Sequence, residues 1–138
     1  MKILPLVLLF VFATFSYAIS VNESDNNGDG VTDVWVQVEN GKTSSIQQDR
    51  NYDGEIDYTV HIDEFARKVL EEIDFNYDGH MDDFYHYKAG VLQSREIDTN
   101  YDQKIDLWVT ITEGVYIEKI ERDNDFDGEV DYVRSYGK

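Results

Sequence analysis

Hydrophobic and polar residues alternate along five short stretches of this chain, which recur about every 25 residues. The stretches are rich in β-branched and aromatic residues, a composition typical of strands with one face turned to a core. They span residues 34–38, 58–62, 84–87, 107–111 and 132–136. In all but the last repeat a second, less regular strand follows before the pattern starts again. The pattern therefore predicts about nine short strands.

Short turns join the two strands of three repeats, at Asn40-Gly41, Ala89-Gly90 and Glu113-Gly114. Glycine supplies the positive φ that a tight hairpin turn requires. In the second repeat residues 63–66 take this place without glycine, so we expect a longer or irregular turn there. Because a tight turn reverses the chain and the next loop can reverse it again, we predict an all-β antiparallel meander of hairpins. A closed barrel or a solenoid with one repeat per coil is the alternative.

Each of the five alternating stretches is preceded by a nine-residue loop of the form D-x-[ND]-x-D-G-x-x-D. We number the loops one to five; they span residues 25–33, 49–57, 74–82, 98–106 and 123–131, and their starts lie 24 or 25 residues apart. Self-similarity at a fixed period indicates a repeat protein in which each unit packs on its neighbours.

The loops place side-chain oxygens at positions one, three, five and nine, which is the donor set of a calcium ion. Several carboxylates within nine residues repel one another unless a divalent ion lies among them. Asp, Asn and Gly are also good turn formers, but turn formation alone does not explain why the first and ninth Asp occur in every copy. The predicted ligands are Asp25, Asn27, Asp29, Asp33, Asp49, Asn51, Asp53, Asp57, Asp74, Asn76, Asp78, Asp82, Asp98, Asn100, Asp102, Asp106, Asp123, Asp125, Asp127 and Asp131.

The loops resemble the first nine positions of EF-hand or dockerin loops and thrombospondin type 3 repeats. Over residues 25–138 the chain resembles bacterial secreted proteins built from tandem D-x-N-x-D-G-x-x-D hairpin repeats, and this resemblance implies calcium as the cofactor. Position twelve, a bidentate Glu in an EF-hand, is here Val36, Val60, Tyr85, Val109 or Arg134. We therefore expect weak sites, with dissociation constants on the order of 10⁻⁴–10⁻³ M.

The five sites are expected to differ in affinity. Gln103 replaces the turn glycine of the fourth loop, and a residue with a Cβ resists the left-handed conformation. That site should be the weakest or empty. The fifth loop carries one carboxylate more than the others, because Asp125 stands where they have Asn, so it should bind best.

Charge and the N-terminal sequence indicate where the protein acts. Residues 1–18 have one lysine, an apolar run too short to span a bilayer, and a small-x-Ala ending, the pattern of a cleaved signal peptide. Cleavage after residue 18 would leave a single domain, residues 19–138, in the periplasm or outside the cell. With 12 Lys+Arg against 29 Asp+Glu and a net charge of −17, the chain repels phosphate, which argues against nucleic acid as a partner. The chain has no cysteine, so bound metal is the available reinforcement for a small core.

The remaining motifs favour binding over catalysis. The sequence contains no nucleophile elbow, HExxH motif or phosphate-binding loop, which argues against an enzyme. An aromatic ladder occupies loop position four at Tyr52, Tyr77, Tyr101 and Phe126; packing between repeats is the favoured explanation, and contact with a glycan or protein the alternative.

His61 and His86 are too far apart in a meander to share a metal. The sequence thus predicts an exported calcium-binding structural or interaction module, with a glycan- or protein-binding module or a metal-independent scaffold as alternatives.

Overall fold

The computed structural model describes residues 18–137, in which ten strands form a single sheet. The strands are β1 (Ile19–Ser24), β2 (Val34–Glu39), β3 (Lys42–Gln48), β4 (Tyr58–Ile62), β5 (Lys68–Ile73), β6 (Asp83–Lys88), β7 (Val91–Ile97), β8 (Leu107–Thr112), β9 (Tyr116–Arg122) and β10 (Tyr132–Ser135). The apolar part of the predicted signal peptide lies outside the described residues. The described residues contain no helical segment that could span a bilayer.

Strand order follows sequence order, and every neighbouring pair is antiparallel. The predicted antiparallel meander is confirmed. Because β1 and β10 remain at opposite edges, the sheet is open and adopts neither of the alternative closures.

One strand, β1, was not predicted. Ile19–Ser24 pairs with β2 in register from Ile19–Glu39 to Ser24–Val34, and all six of its residues are exposed. It occupies the place of a second strand ahead of the first loop, as β3 does ahead of the second. The repeat period could have revealed it, but its sequence carries only two apolar residues, Ile19 and Val21.

The short turns adopt the conformation that their glycines indicate. Asn40 and Gly41 have φ of 52° and 78°, as two-residue hairpin turns of type I′ require. The turn at residues 63–66 is longer, as expected: the Asp63 N–H donates to the Arg67 carbonyl at 2.9 Å, and the Asp63 carboxylate accepts the Phe65 and Arg67 N–H groups.

The sheet has little hydrophobic core. Among residues 18–137 Val60, 5% exposed, is the only buried hydrophobic residue. Most of the other buried residues are aspartates at positions one and nine of the loops, namely Asp33, Asp49, Asp57, Asp74, Asp82, Asp98, Asp106 and Asp123. Among residues 18–137 the best-buried side chains are therefore mostly aspartates at the two ends of the acidic loops, while the middle of each loop is largely exposed.

The meander brings all five acidic loops to one end of the sheet, with the hairpin turns at the other. Backbone hydrogen bonds join the loops into a row. The N–H of the first Asp in each later loop donates to the carbonyl of the ninth Asp in the preceding loop, as in Asp74 to Asp57 at 2.8 Å and Asp98 to Asp82 at 2.8 Å. Neighbouring loops are two strands apart, roughly 9–10 Å.

Candidate metal site

The second loop, residues 49–57, illustrates how the acidic side chains organise each turn. The Asp57 N–H donates to the Gln48 carbonyl at 2.9 Å and closes the base of the loop. Asp49 then accepts the Tyr52 N–H on Oδ1 at 2.6 Å and the Gly54 N–H on Oδ2 at 2.8 Å. A buried carboxylate thus satisfies backbone donors that the turn would otherwise leave unpaired.

Positions four and six of the loops are left-handed. Tyr52 has φ of 66° and Gly54 has φ of 95°. The later loops repeat this geometry, with Tyr77, Tyr101 and Phe126 at φ between 61° and 63°. Aromatic residues seldom adopt this conformation, so the hydrogen bonds to the first Asp are needed to hold it.

Positions three and five extend the same network. The Asn51 Oδ1 accepts the Asp53 N–H at 3.0 Å, and its Nδ2 donates to the Asp53 Oδ2 at 2.7 Å. The N–H of Glu55 and then the Asn51 amide lower the pKa of Asp53, which is therefore a carboxylate at neutral pH.

The ninth residue of this loop has an unsatisfied oxygen. Asp57 is only 1% exposed; its Oδ2 accepts the N–H groups of Arg50 at 2.6 Å and Asn51 at 3.1 Å. Its Oδ1 is buried without a hydrogen-bond partner. Buried carboxylate oxygens are normally paired, and an unpaired one is strongly destabilising.

Two loops bring three carboxylates close enough to share an ion. Oxygens of Asp49, Asp53 and Asp57 lie within 4.8 Å of one another, and the same holds for Asp123, Asp125 and Asp131. Both groups could hold a metal ion, and the oxygen donors and the unpaired Oδ1 of Asp57 fit a hard cation. The second group is more open, because Asp125 and Asp131 are exposed.

Repulsion is evident in the fifth loop. The charges of Asp127 and then Asp131 raise the pKa of Asp125. In the first loop a carboxylate is stabilised instead, because hydrogen bonds from the N–H groups of Gly30 and Gly28 lower the pKa of Asp25. The loops therefore share one sequence pattern but differ in charge balance.

The fourth loop departs from the others in two ways. The Thr99 hydroxyl donates to the Asp106 Oδ1 at 2.7 Å, which is the atom equivalent to the unpaired Asp57 Oδ1. The Asn100 N–H donates to Asp98 at 3.2 Å instead of to the ninth Asp. Gln103, expected to resist the left-handed conformation, nevertheless adopts φ of 69° and donates its N–H to the Asp98 Oδ2 at 2.6 Å.

Sequence reasoning missed two of the groups that shape these loops and the adjoining sheet. One is Thr99, whose only signal was a hydroxyl at loop position two. The other is Asp83, just after the third loop, which is wholly buried and accepts hydrogen bonds from the Arg95 Nε at 2.8 and 3.1 Å. Arg95 is far from Asp83 in sequence, so their pairing requires the strand register of β6 and β7.

The aromatic ladder and the histidines do not join a metal cluster. Tyr52, Tyr77 and Tyr101 remain between 47% and 52% exposed, so packing covers only about half of each side chain. The His61 Nε2 lies 2.9 Å from Glu72, and the His86 Nε2 lies 3.4 Å from Glu96. Strand β5 separates the two histidines, as expected for a meander.

Comparison with known proteins identifies the fold only. No family model matches the chain, and no curated protein does. The chain is similar to part of the accessory secretory protein 1, 2 and 3 structure from Streptococcus pneumoniae, with 12% identity and a TM-score of 0.52 over 77% of this chain and 19% of that one. It is also similar to part of the GtfA/B complex bound to UDP and GlcNAc, with 14% identity and a TM-score of 0.53 over 91% of this chain and 25% of that one. The chain thus spans a quarter or less of each of those proteins.

Proposed function

We propose that this chain is an exported calcium-binding repeat protein in which ions held in the acidic loops stabilise a thin sheet that serves as a structural or interaction module. The loops lie in a row at one end of the sheet, so each bound ion would reinforce the connection between two hairpins.

The unpaired Oδ1 of Asp57 is the observation that carries this proposal. It is buried, the other oxygen of Asp57 already accepts two N–H groups, and the Asp57 carboxylate belongs to the group whose oxygens, with those of Asp49 and Asp53, lie within 4.8 Å of one another. Among the described residues, no Lys, Arg or His forms an ion pair with these three aspartates. A divalent cation would supply the missing positive charge.

The chemistry of the donors favours calcium. The group offers only oxygen atoms, which suits a hard cation, and loops of variable geometry accommodate calcium better than magnesium, which demands a near-ideal octahedron. Binding to the folded state alone adds about 1.4 kcal/mol per site when the free ion exceeds its dissociation constant tenfold. This gain matters in a sheet whose described part has one buried hydrophobic residue.

The test compares Asp53→Asn with Asp102→Asn, the same change at position five of the second and fourth loops. Each retains the oxygen that accepts the N–H of position seven, Glu55 or Lys104, and loses one charge; Asp53→Asn also loses the oxygen that accepts the Asn51 Nδ2. We expect Asp53→Asn to weaken calcium binding at the second loop about tenfold, equivalent to about 1.4 kcal/mol, and Asp102→Asn to leave that binding within twofold. Isothermal titration measures both affinities.

Thermal unfolding of the unmodified protein with calcium and with a chelator provides the second readout. We expect a higher midpoint in millimolar calcium. An unchanged midpoint, together with no heat of calcium binding, would favour a metal-independent scaffold and reject the proposal. The identity of a glycan or protein partner stays a prediction from the aromatic ladder.

A further inference from the structure

We infer that Thr99 closes the fourth loop to calcium, because its hydroxyl occupies the oxygen that the second loop leaves free for the ion. The inference rests on the proposed function and adds a determinant to it: a hydroxyl at loop position two closes a loop to the ion.

The second and fourth loops differ at this one oxygen. In the second loop the Asp57 Oδ1 is buried and unpaired. In the fourth loop the equivalent Asp106 Oδ1 accepts the Thr99 hydroxyl at 2.7 Å. Both aspartates are nearly inaccessible to solvent, at 1% and 2% exposure, so water is a poor substitute at either oxygen.

Position two is suited to this role because its backbone already lies against the ninth Asp. In all five loops the N–H of position two donates to the ninth Asp Oδ2, at 2.6 to 2.8 Å. The side chain that follows therefore starts close to the same carboxylate. The other loops have Asn26, Arg50, Phe75 and Asn124 there, none of which carries a hydroxyl.

The carboxylates of the fourth loop also fail to converge. Among residues 18–137 the groups of three acidic residues that could share an ion lie in the second and fifth loops. In the fourth loop the Asn100 N–H donates to Asp98 instead of to the ninth Asp, so the Asp106 carboxylate accepts the N–H and the hydroxyl of Thr99. An entering cation would have to displace the hydroxyl from a charge-assisted hydrogen bond, which lowers its affinity about tenfold or more.

The consequence is a row in which one loop holds its shape without an ion. The fourth loop is bonded to both neighbours, through Asp98 N–H to Asp82 and Asp123 N–H to Asp106. It would keep the third and fifth loops aligned when calcium is scarce.

The experiment exchanges the hydroxyl between the two loops. Thr99→Val removes it from the fourth loop with little change of shape. Arg50→Thr introduces it into the second loop, and Arg50→Val is its matched control, because both lose the contact of Arg50 with the Tyr58 ring at 3.9 Å. Amide NMR of the protein during a calcium titration follows each site separately, at Gly54 for the second loop and at position 103 for the fourth.

In the unmodified protein we expect the Gly54 amide to respond at lower calcium than the Gln103 amide. Thr99→Val should lower the calcium concentration at which the Gln103 amide responds by at least tenfold. Arg50→Thr should weaken the Gly54 response about tenfold relative to Arg50→Val. If Thr99→Val does not fold, the comparison of Arg50→Thr with Arg50→Val still tests whether a hydroxyl at position two weakens calcium binding.

Two results overturn the inference, and they are distinguishable. If Gly54 responds to calcium but the Thr and Val variants at position 50 bind alike, the hydroxyl does not control the loops, while the proposed function stands. If no loop amide of the unmodified protein responds at millimolar calcium, the proposed function and this inference both fail.

Discussion

Asp125 takes the third position of the fifth loop, where the other four loops have asparagine. In the second loop that asparagine, Asn51, donates its amide to the neighbouring Asp53 carboxylate at 2.7 Å. Asp125 has no amide to donate, and the charges of Asp127 and Asp131 raise its pKa. One residue thus makes the fifth loop richer in ligand oxygens and poorer in internal hydrogen bonds.

Asp125→Asn is expected to have opposite effects on ion-free stability and on calcium binding. Because its pKa is raised in the folded state, ionised Asp125 lowers stability, and this penalty disappears as the pH falls through that raised pKa. The variant should therefore unfold at a higher temperature than the unmodified protein in chelator at neutral pH, with the difference shrinking in acid. In calcium it should bind the ion less tightly. A lower midpoint in chelator would contradict this account of the fifth loop.

The nine-residue loop is the element on which the repeat depends. Its first Asp accepts the N–H groups of positions four and six, and these bonds hold two left-handed residues in place. The fourth loop keeps this geometry although Gln103 replaces glycine, with φ of 69° against 95° at Gly54. The loop therefore tolerates a Cβ at position six at the expense of local backbone strain.

Gln103→Gly separates the backbone of the fourth loop from its ligand oxygens. Removing the strain should raise the free energy of unfolding by about 1 kcal/mol in the absence of calcium. Gln103→Ala, which retains a Cβ, is the control and should bring no such gain. Chemical denaturation measures the difference.

Calcium binding at the fourth loop should not improve in Gln103→Gly, because the Thr99 hydroxyl still occupies the Asp106 Oδ1. If the glycine variant binds calcium there as tightly as the second loop does, the backbone rather than Thr99 closes the loop.

As a whole molecule, the described chain is a single open sheet stabilised along one end by its loops. The buried hydrophobic residue Val60 in β4 and the buried Asp83 carboxylate, paired with Arg95 between β6 and β7, lie near the middle of the strand order. Both edges are exposed along their full length, β1 through six residues and β10 through four. Stability should therefore decrease from the centre of the sheet to its edges.

Hydrogen exchange in chelator should show this gradient. We expect the slowest amides in β4 to β6 and the fastest in β1 and β10, since edge strands can open without exposing a core. Calcium should slow exchange most at the second loop and the strands that flank it, β3 and β4. Equal protection across all ten strands would show that the sheet opens as one unit.

Several features were predictable from sequence because they depend on residues close together in the chain. The predicted strands, such as residues 58–62, match the observed β4 (Tyr58–Ile62), since side-chain alternation with period two is a local property. The turn at Asn40-Gly41 and the long turn after Ile62 follow equally from local backbone preferences. Secretion and the identity of the ion remain predictions.

The sequence by itself determined the meander, the hairpin turns and the five acidic loops. Only the tertiary structure decided that the sheet stays open, that β1 joins its edge, and that three carboxylates converge in the second and fifth loops. It also assigned the Asp106 oxygen to Thr99 and left that of Asp57 unpaired. The physical reason is that a repeating pattern specifies backbone shape, whereas the partner of a single buried oxygen depends on how the side chains around it are oriented.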